Sequence, residues 1–395
     1  MIGLEKVVGI VSSLEKNQFE STSMENENCQ TVRTTSDDSS VGLVCHYQFD
    51  NGSSQFMLMN IDNESGASLD PSLSFFTDNF LQTLASCNGL ILLSGYSGDQ
   101  SCYHVFNPLT KHSIMIPQVC IRGRVIRVGL AFDGCQFEVV LVEAVSSNSN
   151  GLEFHVFSSD SRKWRSHHPI NITVPSLPEF EFQELGTPPL YSNGAIHWEI
   201  GGYLLVYKVQ GSHCELFELP NCFEDWSWQS TMTYRRCLCE SQGRVYYCYT
   251  DLDGFHIWDL LNEHDHLGFF YSYDSKRFRW RLVQSVKHEI FVSKHQNFCG
   301  NLCDWEPYNI TPIAYSEQAQ TIYLQLPGTV VSYNFHTTSL RSICTYSYPG
   351  INFNCCSFFS STTFGLHNSQ RYRDLLTNGE KELNLPIEEM ERLSL

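Results

Sequence analysis

His104-Val105-Phe106-Asn107-Pro108-Leu109-Thr110, running on into Ile114-Met115-Ile116, reads as a β-hairpin: a short strand with a β-branched centre, an Asn-Pro turn and a return strand. The stretch decides the fold because it recurs. His155-Val156-Phe157, Leu205-Val206-Tyr207 and His256-Ile257-Trp258 repeat it, with Val105, Val156, Val206 and Ile257 spaced 51, 50 and 51 residues apart. Turn formers and a second strand follow again, as where Ser158-Ser159-Asp160-Ser161 leads to Trp164 and Gln210-Gly211-Ser212 leads to Leu216-Phe217-Glu218-Leu219-Pro220. A weaker copy is Val331-Ser332-Tyr333-Asn334 with its return strand near Leu340 to Cys344, and an earlier one is Met57-Leu58-Met59-Asn60. The last interval is stretched to about 75 residues, which implies an insertion or a partial repeat between 265 and 325.

Another strand precedes each hairpin, opened by a tight turn. Asn88-Gly89 leads into Leu90-Ile91-Leu92-Leu93, Asn193-Gly194 into Ala195-Ile196-His197-Trp198, and Gln242-Gly243 into Arg244-Val245-Tyr246-Tyr247. Such pairs tolerate the positive φ angles of a two-residue hairpin turn, so each unit has four strands. A lone four-stranded sheet cannot bury both faces, so the copies must stack radially. The expected fold is all-β, a kelch-like β-propeller of six to seven four-stranded blades over residues 41–365. Residues 1–40, rich in Ser, Thr, Asn and Glu, read as a disordered arm. Residues 366–395 read as a tail with a short helix at Pro386-Ile387-Glu388-Glu389-Met390-Glu391-Arg392-Leu393.

Composition agrees with a sheet-rich chain of 395 residues: aromatic residues reach 13% and charged residues only 17%. A formal charge of −18 argues against nucleic acid, and the short basic runs at Arg122, Arg124 and Arg127 and from Lys276 to Arg281 read as solvated strand faces. No run approaches the roughly 20 apolar residues of a membrane span. Sixteen cysteines scattered along a long chain fit reduced, buried thiols better than a disulfide framework. The expected setting is cytoplasmic or nuclear.

The ordered series Ser86-Cys87-Asn88-Gly89-Leu90, Tyr103-His104-Val105-Phe106-Asn107-Pro108-Leu109-Thr110-Lys111 ending at Pro117, Asn193-Gly194-Ala195-Ile196-His197-Trp198 and Leu219-Pro220 resembles the plant F-box-associated propeller family. The resemblance implies the substrate-binding half of a receptor in a cullin-RING (Skp-cullin-F-box) ubiquitin ligase. In such a receptor an N-terminal F-box grips the Skp adaptor and the propeller holds the protein to be ubiquitinated. Residues 1–40 carry no F-box pattern, so binding of Skp and cullin is not carried over, and a stand-alone interaction adaptor is the alternative.

No catalytic constellation stands out, and a non-enzymatic role without cofactors is expected. Gly95-Tyr96-Ser97-Gly98 lacks the spacing of a nucleophile elbow, and His288-Glu289 with His295 lacks that of a zincin. His288, His295, Cys299 and Cys303 form the best metal candidate, but without a Cys-x2-Cys knuckle, and no metal site is expected. His104, His155 and His256 read as strand residues, since Leu205 breaks the set. For a protein partner, the candidate anchors are Trp226 and Trp228 beside Glu224 and Asp225, with Trp305 as a third. A propeller-scaffold enzyme would need Tyr, His and Cys ligands converging on the axis, and a glycan-binding propeller would use the aromatic-rich loops.

Overall fold

The computed structural model describes residues 41–48, 54–62, 66–70, 82–97, 100–107, 112–144, 152–170, 187–200, 202–211, 213–220, 236–261, 280–296, 310–326 and 329–345. A three-stranded sheet comes first, with β1 (Val41–Gln48), β2 (Ser54–Asp62) and β3 (Gly66–Asp70) in meander order. Five four-stranded antiparallel sheets follow. Their strands are β4 (Gln82–Cys87), β5 (Leu90–Ser97), β6 (Gln100–Asn107) and β7 (His112–Ile116), then β8 (Arg124–Phe132), β9 (Phe137–Ala144), β10 (Leu152–Ser158) and β11 (Lys163–Ile170). The third blade holds β12 (Leu190–Ser192), β13 (Ala195–Ile200), β14 (Tyr203–Lys208) and β15 (His213–Glu218). The fourth holds β16 (Arg236–Ser241), β17 (Arg244–Thr250), β18 (Gly254–Leu260) and β19 (Trp280–Lys287). The fifth holds β20 (Thr311–Ser316), β21 (Thr321–Leu326), β22 (Thr329–Asn334) and β23 (Ser339–Thr345). One helix, α1 (His288–Lys294), follows β19.

This is an all-β propeller whose first strands β4, β8, β12, β16 and β20 lie beside one another. The expected six to seven four-stranded blades are corrected to five among the described residues. The repeat length alone overcounts because the chain spends residues on a three-stranded sheet, whose β3 adjoins the outer strand β23, and on the stretched interval. Among the described residues that interval holds no additional blade. The fourth strand of its blade is delayed to β19, and α1 intervenes before β20.

The hairpins read from sequence are the third and fourth strands of each blade. Val105, Val156, Val206, Ile257 and Val331 all sit on third strands and are nearly inaccessible. Blades are buried on both faces, which is why β13 is apolar throughout except for His197 and Glu199. The turns that open the second strands hold the expected backbone: Asn88 and Gly89 at φ 42° and 88°, Asn193 and Gly194 at 51° and 75°, Gln242 and Gly243 at 54° and 74°.

The core lies between blades. Leu92, Val105, Leu130 and Leu141 join the first and second. Phe154 stacks on Tyr207 at 4.7 Å between the second and third. Leu204 and Tyr247 meet between the third and fourth, and Ile257, Tyr315 and Leu324 between the fourth and fifth.

Candidate interaction face

Alternating strand direction sorts the connections onto two ends. At one end the first strand turns into the second through 88–89, 133–136, 193–194, 242–243 and 317–320, all of two to four residues. Side chains link these turns from blade to blade: Asn88 Nδ2 donates to Phe132 O at 2.8 Å, Asn193 Nδ2 to Gly243 O at 2.8 Å, and Gln242 Nε2 to Gln318 Oε1 at 2.8 Å. Cys87 adds to the first link, its Sγ accepting from Phe132 N at 3.2 Å. Burial pushes this thiol far above its ordinary pKa, so it stays a neutral packing group.

The other end receives the connections between blades, 71–81, 117–123, 171–189, 219–235 and 288–310, together with the turns from second to third strands. Four of the five long connections therefore start and finish at this end, where binding loops of a scaffold are usual, while 261–279, from β18 to β19, starts and finishes at the other. Buried charges anchor the entry points. Glu199, on β13, takes Arg236 at the start of β16 through an ion pair, and its second oxygen accepts from Thr187 Oγ1 at 2.5 Å, just ahead of β12. Arg127 of β8 donates to Glu199 O at 3.0 Å. One glutamate thus joins three successive blades. Desolvation draws the Arg127 guanidinium down to about 10, with Glu199 opposing the shift.

Glu143, near the end of β9, holds the 117–123 connection by accepting from Arg122 N at 2.9 Å and from Gly123 N. Its other oxygen meets His155 Nε2 at 2.6 Å, and His155 Nδ1 reaches Ser166 Oγ at 2.8 Å. The line of Ser, His and Glu has the composition of a nucleophilic triad, but the arrangement recurs. In the fourth blade, His256 pairs with Ser285 of the equivalent fourth strand at 3.0 Å and with Asp251, in the turn after β17, at 3.1 Å. His155 faces Ser166, and His256 faces Ser285, in the strand register. In these two blades the bond pattern ties the fourth strand to the third. Glu143, Glu153 and His155 also gather closely enough for a cation, yet the backbone donors and the imidazole already occupy both Glu143 oxygens.

The histidines of the repeat do not converge on the axis. His104 instead lies 3.5 Å from Cys102 Sγ on its own strand. His288 opens α1 and fastens it to the turn between β17 and β18: its N–H donates to Asp253 O and its Nε2 to Asp251 O, both at 2.9 Å. It serves as a splice between helix and turn, with His295 a helix length away at the C-cap. Cys299 and Cys303 lie outside the described residues, as do Trp226, Trp228 and Trp305, residues 1–40 and the 386–393 segment. Chain connectivity nonetheless assigns Trp226 and Trp228 to the connection from β15 to β16, which ends at Arg236, and Trp305 to the connection ending at β20.

Sequence reasoning missed Glu199, Arg236 and Glu143. Their partners are 12 to 37 residues away, in other strands or in the connections between blades, so spacing carries no sign of them. The available signal was a charged residue in a strand otherwise made for burial, as in Ala195-Ile196-His197-Trp198-Glu199-Ile200.

His197 in that strand accounts for a pH response. Its Nδ1 contacts Leu190 O at 3.2 Å, and burial drives its pKa down to about 4 against weaker opposing bonds to the Leu190 and Ala195 backbone. Between about pH 6.5 and 4 the unfolded chain binds a proton that the folded chain refuses, so stability falls with acid across this window. The loss attributable to His197 is on the order of 3 kcal/mol. Urea midpoints measured from pH 7 to 4.5 should fall less steeply for His197→Gln than for the parent chain.

A family model described as "F-box protein At3g26010-like, beta-propeller" matches residues 59–356. F-box protein At5g07610 of Arabidopsis thaliana is 22% identical over 298 residues, covering 69% of this chain and 66% of that protein, just under two thirds of the relative's own length. Among solved structures, TolB from Acinetobacter baumannii aligns at a TM-score of 0.44 and 8% identity over 80% of this chain and 66% of that one. No described helix is long and apolar enough to cross a membrane. With the match spanning most of the chain and all five blades, the chain belongs to the F-box protein At3g26010-like β-propeller family.

Proposed function

We propose that this propeller is a non-enzymatic protein-binding module that presents a protein substrate to a cullin-RING ubiquitin ligase. The observation that supports it best is the asymmetry of the two ends. One carries the first-to-second turns, several of them joined to each other, and, besides short third-to-fourth turns, the long connection 261–279; the other collects the connections between the described blades, with Glu199, Arg236 and Glu143 fixing where the chain re-enters the sheets. Fixed entry points of this kind lower the entropy cost of holding a partner. Trp226, Trp228 and Trp305 belong to those connections and are the proposed anchors. The kelch-like character of the repeats is part of the same proposal and rests on their interval of about 50 residues.

The test is affinity capture with the full-length chain followed by quantitative mass spectrometry, comparing the parent with Trp226→Ala, Trp228→Ala and Trp305→Ala. Loss of a buried aromatic anchor costs about 2 kcal/mol or more, so at least one variant should lose its bound protein by more than about tenfold. Equal capture by all three would remove the assigned anchors. Recovery of Skp and cullin subunits supports ligase membership; a reproducible set of partners without them supports the stand-alone adaptor.

A further inference from the structure

Cys237, Cys239 and Cys248 form a cluster outside the interaction face. Cys237 and Cys239 are two residues apart on β16 and so share one side of the strand. Cys248, on β17, stands directly opposite Cys237 in the register. All three are buried free thiols, with 7%, 4% and 0% of their surface exposed. Cys239 Sγ lies 3.9 Å from Cys248 Sγ, and the three sulfurs fall within 4.8 Å of one another.

From this geometry we propose that Cys237, Cys239 and Cys248 bind one thiophilic divalent cation of the zinc class. Sulfurs around such an ion at a bond length of about 2.3 Å are spaced by roughly 3.8 to 4.0 Å. One edge of the triangle already has that length, and the others close by small rotamer shifts. Strands β16 and β17 supply the ligands by register alone, so no loop has to fold over the ion.

The chemistry is ligand exchange without electron transfer. Three thiols lose three protons to solvent, three sulfur–metal bonds form in place of metal–water bonds, and one water stays as the fourth ligand. Charge selects the divalent class. Three thiolates around a divalent ion leave one net negative charge in the core, whereas a monovalent ion leaves two, and burying charge is costly. Thiolate ligands select soft ions over magnesium or calcium. The site lies in the packed interface between the fourth and fifth blades, where Tyr246 and Tyr315 meet edge to face with centroids 5.0 Å apart. A bound ion would therefore staple the two strands that open the fourth blade, next to the last inter-blade interface.

The probe is cadmium, titrated into the reduced full-length protein and followed by thiolate-to-metal charge-transfer absorbance, with thermal unfolding as a second readout. The expected result is a tight component of one equivalent that raises the unfolding temperature. It should be weakened at least tenfold in Cys248→Ser and in Cys239→Ala, each checked for native circular dichroism. Zinc should displace it in competition. Undiminished binding in both variants places the ion on other cysteines and overturns the proposal, as does the absence of any tight component. A Cys239 to Cys248 disulfide found by non-reducing peptide mapping of protein purified under reducing conditions overturns it too. Should either variant lose its native spectrum, protection decides: cadmium must slow alkylation of Cys237, Cys239 and Cys248 in the parent chain while Cys120 and Cys135, which are exposed, react unchanged. Equal alkylation rates with and without cadmium would refute the site.

Discussion

Glu199→Leu is expected to lower the stability of the propeller by about 3 to 5 kcal/mol, the usual cost of removing one partner from a buried ion pair. The carboxylate is nearly inaccessible, and so is the Arg236 guanidinium that it holds. Losing it strips Arg236 of this counter-charge and leaves Thr187 Oγ1 without its acceptor at the same time. The damage spreads beyond one blade, because Glu199 sits on β13 while Arg236 opens β16, and Arg127 of β8 loses the nearby carboxylate charge although its bond to the Glu199 backbone O survives. Urea unfolding measures the loss. The double variant Glu199→Leu with Arg236→Met should recover at least half of it, since replacing both members of a buried pair with apolar groups of similar volume is often neutral. If the double variant is no more stable than Glu199→Leu, the charge explanation fails.

Trp198→Ala should cost a comparable amount, about 3 to 5 kcal/mol, through a large cavity between the second and third blades. The indole is fully buried, and its Nε1 donates to Val128 O at 3.0 Å across the interface. Gly129 exists to receive it: a Cβ there would lie 2.6 Å from the Trp198 ring and 2.9 Å from Ile196. Gly129→Ala should therefore lose about 1 to 3 kcal/mol by overpacking. The two substitutions should also be coupled, because they share one contact. In the Trp198→Ala background, Gly129→Ala is expected to cost less, with only the Ile196 contact left to relieve, and full additivity in a double-mutant cycle would sink the steric account.

These predictions explain what the recurrent motifs do. In Asn193-Gly194-Ala195-Ile196-His197-Trp198, the first two residues make the positive-φ turn, His197 bonds back to β12, and Trp198 fills the interface with the preceding blade. Cys87 and Asn88 act the same way between the first and second blades. The motifs that carried the resemblance are joints between blades. They mark the scaffold.

Reading along the chain was sufficient for whatever depends on near neighbours. Alternation, turn chemistry and a spacing of 50 or 51 residues located the third strands, the four-strand unit and the radial stacking, because each is written within one repeat. Blade number was not written there, since a count from period assumes that no residues are spent elsewhere, and here a three-stranded sheet and a helical insertion consume them. The charged anchors were equally hidden. Glu199 finds Arg236 37 residues away, and Glu143 finds the backbone of Arg122 and Gly123 about 20 away, only after stacking brings separate strands together. Desolvation then makes those pairings obligatory, because a charge carried into the space between blades must meet a partner there. Three cysteines that look like ordinary strand residues become a cluster for the same reason: β16 and β17 pair in the one register that sets Cys237 opposite Cys248.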